Sequence, residues 1–115
     1  MERRGYRRIP ARLGLTVKVL GPGSETLGLS ETALTENISP GDLFFFSALH
    51  DRMSIGAEVD MEIDLPVHSP SLFGGKHLQV RGRVVRLAAP QPDEPERRGV
   101  AVSFLNTPRF VTDLD

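Results

Sequence analysis

The 115-residue sequence has no cysteine, no tryptophan and a single tyrosine, Tyr6. The lack of cysteine excludes disulfide bridges, thiolate metal sites and thiol nucleophiles. Its three histidines, His50, His68 and His77, are too scattered to show a metal-ligand spacing, so neither a metal nor a cofactor is expected. No run approaches the roughly 20 apolar residues of a membrane-spanning helix. The start is positively charged, but Gly14, Lys18 and Gly21 break up the apolar segment behind it, so it does not read as a signal peptide. A cytoplasmic chain without membrane insertion is the expectation. Helical periodicity is nearly missing as well, which leaves strands as the building material.

What remains suits one globular domain. The chain is 39% hydrophobic and 25% charged, ordinary values for a soluble protein, and is long enough for one core but not two. Its charge is unevenly spread. Arg3, Arg4, Arg7, Arg8 and Arg12 face a single acid, Glu2, so residues 1–12 carry +4. The whole chain is −1, which leaves −5 for the rest. A duplex binder usually spreads positive charge over a face, whereas one concentrated arm suits a small anion. Taken alone, the arm also reads as a solvated or disordered tail.

Period-2 alternation runs through the chain. Leu13, Leu15, Val17 and Val19 mark a strand with one buried face, and GPGS (Gly21–Ser24) turns it. Residues from about Leu27 to Ile38 form a second, more solvated strand. NISPGD (Asn37–Asp42) is a turn by composition, and LFFFSAL follows as a strand apolar on both faces. In AEVDMEIDL, Ala57, Val59, Met61, Ile63 and Leu65 alternate with four carboxylates. Beyond a Pro- and Gly-containing loop (Pro66–Gly75), HLQVRGRVVRL places Gln79, Arg81 and Arg83 on a polar face. Opposite charges make these two strands antiparallel neighbours, with structural pairing the first role of Arg81 and Arg83. AAPQPDEPE (Ala88–Glu96) reads as an acidic loop. GVAVSFL reads as a last strand with Val100, Val102 and Phe104 inward. The tail offers at most a short C-terminal helix. Six strands with turn signals between them predict an all-β, six-stranded antiparallel barrel or sandwich.

A small barrel for single-stranded nucleic acid needs aromatics on which bases stack. One Tyr and six Phe, most of which look buried, make a polymeric nucleic acid an unexpected partner. The carboxylates alternate along an exposed face with no nucleophile–base pairing beside them, so no catalytic activity is expected.

Two motifs join arm and barrel. Arg4–Gly5–Tyr6–Arg7–Arg8 is an RxxxR preceded by Arg3, and Asn37–Ile38–Ser39–Pro40–Gly41–Asp42 follows the pattern [D/N]-x-S-x-x-G except at its last position. In this order, each leading into a strand, they resemble the PilZ domain, a bacterial receptor module for the second messenger cyclic di-GMP. Gly56–Pro66, the GRVVR segment at Gly82–Arg86 and Gly-Val-x-Val-x-Phe at Gly99–Phe104 extend the resemblance over most of the chain.

The resemblance implies a flexible ligand-clamping arm (1–12), a PilZ-like barrel (13–105) and a tail (106–115). It implies cyclic di-GMP as ligand and a conformational relay to an unidentified protein partner. It assigns ligand contacts to Arg4, Arg8, Asn37 and Ser39, with Gly41 letting the main chain come close. Arg3 is a further contact, while Arg7 and Arg12 read as solvated charge. The chemistry agrees: an arginine fork meets guanine O6 and N7 with two parallel hydrogen bonds, or stacks on the purine while offsetting a phosphate. Asn37 offers an acceptor to guanine N1–H and N2–H, and Ser39 a hydroxyl donor. Asp42 stands where the motif has glycine, and a carboxylate there opposes an anion. A degenerate PilZ-like adaptor that binds protein and no nucleotide is therefore the alternative.

Overall fold

Residues 9–10, 12–65 and 76–112 are described by the computed structural model. The alternating segments become strands: β1 (Ile9–Pro10), β2 (Gly14–Leu20), β3 (Thr26–Ile38), β4 (Asp42–Ser47), β5 (Glu58–Asp64), β6 (Lys76–Gln91), β7 (Glu94–Phe104) and β8 (Arg109–Thr112). A single 3-10 turn, His50–Arg52, follows β4. Hydrogen bonding runs β3-β2-β5-β6-β7-β4 and returns from β4 to β3, all antiparallel. The expected six-stranded barrel is thus closed, and closure removes sheet edges that would otherwise pair with other chains. β1 is added on β3 and β8 on the start of β6. Among the described residues no helix is long and apolar enough to cross a membrane.

The inward residues follow from the alternation. Leu15, Val17 and Val19 of β2 meet Val59, Met61 and Ile63 of β5, and Phe45, Val100 and Val102 close the other side. Burying each such side chain contributes about 1.5–3 kcal/mol relative to exposure. Gly82 faces this core. A Cβ there would collide with the Val102 side chain and come within 2.9 Å of Met61 Cε. Close approach therefore explains the glycine of the GRVVR segment.

The outer charges pair as expected. Asp60 lies opposite both Lys18 and Arg81, and Glu58 opposite Arg83. The Arg81 guanidinium donates to Asp60 at 2.8 and 3.3 Å, and Arg83 reaches Glu58 at 3.5 Å. The hydrogen bond and charge of Asp60, with a smaller contribution from Glu58, raise the Arg81 pKa above its ordinary value.

Two sequence expectations need correction, and the allowance for at most a short C-terminal helix resolves as strand. Residues 88–96 are not a loop: β6 and β7 extend as a ribbon through Gln91 and Glu94, leaving only Pro92 and Asp93 between them. The tail forms no helix over its described part. Leu105 N–H donates to Arg81 O at 2.7 Å, Asn106 Oδ1 accepts from Arg81 N–H at 3.0 Å, and β8 then pairs with β6 from Arg109 onward. Of the described phenylalanines only Phe45 is fully buried; Phe104 is half-buried against the core, Phe44 and Phe46 are half-buried at outward strand positions, and Phe110 on β8 is 72% exposed.

Candidate functional site

The Asn37–Asp42 turn closes the β3–β4 hairpin. Ser39 N–H donates to Asp42 O at 2.9 Å, and Ser39 Oγ accepts the N–H groups of Gly41 and Asp42, both at 3.1 Å. The Ser39 hydroxyl proton points to Asp42 Oδ1 at 2.7 Å. Gly41 O accepts from Phe104 N–H at 2.9 Å, anchoring the turn to the end of β7.

The short strand that follows the arginine-rich segment meets this turn. β1 pairs Ile9 with Ile38 and Pro10 with Asn37, so the residue that follows Arg8 sits opposite the turn. Arg3, Arg4 and Arg8 themselves lie outside the described residues. Arg12, read as solvated, is exposed and pairs with Glu36 at 3.5 Å.

Strand register then extends the site sideways. Pro10 opposes Asn37, Asn37 opposes Phe44, Phe44 opposes Ala101, and Ala101 opposes Arg86. Directly opposed residues share a face of a sheet, so Asn37, Phe44, Ala101 and Arg86 form one row on the outside of the barrel, beside β1. Both polar members lie beside β-bulges. Glu36 and Asn37 together oppose Phe44, and Val85 and Arg86 together oppose Ala101. A bulge re-aims the following side chain, and such bulges concentrate beside functional sites. The hairpin count from Ser39–Asp42 sets Asn37 beside Phe44, and the β6 bulge brings Arg86 onto the same outer face.

The floor of the row is small. Ala101 is almost wholly covered, and a Cβ on Gly99 would collide with the Phe44 ring and come within 3.0 Å of Ala88 Cβ. Phe44 therefore lies flat enough for the Arg86 guanidinium to sit 5.6 Å above its ring centroid. Phe46 meets Phe44 edge-on at 5.5 Å between centroids. Asn37 Oδ1 is buried and accepts no hydrogen bond. An open groove of about 420 Å³, bordered by Arg12, Glu36, Phe46 and Arg97, runs alongside. The ensemble offers a flat cation, an unused acceptor and the root of an arginine arm on one shallow surface.

The PilZ domain model matches residues 2–109. The chain belongs to the PilZ family. No curated protein matches its sequence. Among solved structures the chain is similar to the inhibitor of motility MotI (DgrA) of Bacillus subtilis, with 22% identity and a TM-score of 0.65 over 93% of this chain and 44% of that one. It also aligns with Atu2129, a protein of unknown function from Agrobacterium tumefaciens, at 20% identity and a TM-score of 0.47 over 92% and 53%. This PilZ chain spans about half the length of each. The MotI likeness agrees with the barrel seen here.

For a PilZ domain the motif residues Asn37, Ser39 and Gly41 fall together in one turn, beside the root of the arm. Phe44 and Arg86 were not singled out from the sequence as site residues. Phe44 was countable, since a hairpin closing on Ser39–Asp42 sets it opposite Asn37. Arg86 was not, because its position depends on a bulge that leaves no sequence mark.

Proposed function

We propose that this PilZ domain is a bacterial, cytoplasmic receptor for cyclic di-GMP that relays binding to a protein partner and has no catalytic role. The observation that supports this most is the outer row. The β3–β4 hairpin register and a bulge in β6 set Asn37 and Arg86 on one face, beside the strand that follows the arginine arm.

Each part answers a group on the ligand. Asn37 Oδ1, buried and unpartnered, accepts from guanine N1–H or N2–H. Arg86 presents a planar cation on which a purine stacks, already propped by Phe44. Arg3, Arg4 and Arg8 supply bidentate donors to guanine O6 and N7 and charge to the two phosphodiesters. The arm orders over the ligand at an entropic cost, so ligand contacts must outweigh it. That ordering is the conformational signal.

Isothermal titration calorimetry with cyclic di-GMP, GTP and cyclic di-AMP tests this on the parent chain, Arg8→Ala and Asn37→Ala. Saturable binding selective for cyclic di-GMP, lost in Arg8→Ala and weakened about tenfold in Asn37→Ala, is expected. No saturation by any nucleotide at millimolar concentration sinks the receptor reading. The second reading, a protein-binding adaptor, is favoured by one observation: Asp42 already holds the Ser39 proton.

A further inference from the structure

The Ser39 hydroxyl is fully used within its own turn. A hydroxyl has one proton and two lone pairs. Here the lone pairs accept the N–H groups of Gly41 and Asp42 at 3.1 Å each, and the proton goes to Asp42 Oδ1 at 2.7 Å, with Asp42 O a longer second acceptor at 3.4 Å. The residue is only 6% exposed, so water does not compete freely for these bonds. The two backbone contacts are available to any residue at position 42 other than proline. The carboxylate contact is not: it exists because Asp42 stands where the family motif has a side-chain-free glycine.

We propose that Asp42 is a built-in competitor for the anionic ligand and sets the affinity of the site by withholding the Ser39 proton. The inference rests on the cyclic di-GMP reading. A phosphate oxygen or guanine O6 that seeks the Ser39 proton must first displace a carboxylate, breaking a charge-assisted hydrogen bond. Asp42 occupies, from within the chain, the place of an anionic acceptor on Ser39.

Charge and acceptor separate by substitution. Asp42→Gly removes both the charge and the acceptor. Asp42→Asn removes the charge while keeping an oxygen that can accept from Ser39. Ser39→Ala in the parent removes the brace of the turn but no ligand contact, so any loss of binding there reports the turn alone and is the baseline for the cycle. Ser39→Ala in the Asp42→Gly background removes a hydroxyl that the ligand does reach. The double-mutant cycle therefore has a sign specific to withholding.

Calorimetry with cyclic di-GMP on the parent, Asp42→Gly, Asp42→Asn, Ser39→Ala and Asp42→Gly/Ser39→Ala decides the matter, with ligand-free thermal melts as a folding control. Asp42→Gly is expected to tighten binding about tenfold, the scale of one charge-assisted hydrogen bond. Asp42→Asn should gain less, and most of the glycine gain should vanish when Ser39 becomes Ala. A parent that does not bind beside an Asp42→Gly variant that does supports the competitor role and overturns the receptor reading for the parent. Binding by the parent that is unchanged or weakened in both Asp42 variants overturns the proposal and leaves the receptor reading standing. An equal gain with and without Ser39 overturns the hydroxyl capture. No binding by any of the five proteins overturns both readings.

Discussion

Two outer faces of the same barrel are built on opposite plans. Across β2, β5 and β6, acids pair with bases across the strands: Asp60 takes Arg81, Glu58 takes Arg83 and the Ser24 hydroxyl, and Asp64 takes His77. Across β3, β4, β7 and β6, the row holds one aromatic ring, one cation over it and one buried acceptor without a donor. The first face spends its polar groups on itself. Its exposed ion pairs are individually weak because water screens them. The second face leaves polar groups unspent, which costs stability unless something else uses them. A barrel wall can thus be either self-satisfied or receptive, and the register with its bulges decides which.

The largest test strikes the floor of the receptive face. Gly99→Val forces a branched side chain beneath the Phe44 ring and against Ala88. Overpacking of this kind costs about 1–3 kcal/mol. A thermal melt should fall by several degrees, and cyclic di-GMP binding should drop with it because Arg86 loses its support. If Gly99→Val leaves both melt and binding unchanged, Phe44 is not the platform described.

Next in size is a matched pair of arginine deletions. Arg86→Ala removes the cation on the receptive row, and cyclic di-GMP binding is expected to weaken about tenfold, the scale of a stacked or cation–π contact. Arg81→Ala removes a cation from the self-paired face, five residues earlier on the same β6, and should leave binding unchanged. Titrating both variants against the parent compares the faces directly. Equal losses in both would mean that the ligand feels only net charge, and the distinction between faces would fail.

Much of the fold was legible in the sequence, and the reason is periodicity. β2 and β5 alternate so strictly that their buried faces, and the pairing of β5 acids with β6 bases, could be written down beforehand. The β6–β7 ribbon was hidden by Pro90, Pro92 and Pro95, which read as loop. Proline is tolerated in strands at edges and bulges, and Pro90 lies among the register shifts of that ribbon. β8 was hidden by its brevity. The turn at Asn37–Asp42 was legible as a motif, whereas the capture of Ser39 by Asp42 depends on a side-chain rotamer that composition does not specify. Arg86 was legible as a charge but not as a neighbour of Asn37, because cross-strand adjacency exists only once register is set.

The smallest and most diagnostic effect concerns Asn37 in the absence of ligand. Its Oδ1 is buried without a donor, and an unpaired buried acceptor costs about 1–3 kcal/mol. Asn37→Ala discards that acceptor together with a few van der Waals contacts, and the two changes oppose each other. The ligand-free melting temperature should stay level or rise slightly, by the equivalent of up to about 1 kcal/mol. Binding of cyclic di-GMP should weaken in the same protein. On the self-paired face the expected sign is reversed: Asp60→Ala removes the partner of Arg81 and lowers the melting temperature with binding intact. A residue whose removal stabilises the empty protein and weakens the complex is kept for the complex. If Asn37→Ala melts well below the parent, its carbonyl is a structural brace, and the receptive face would have to be redrawn around Arg86 and the arm alone.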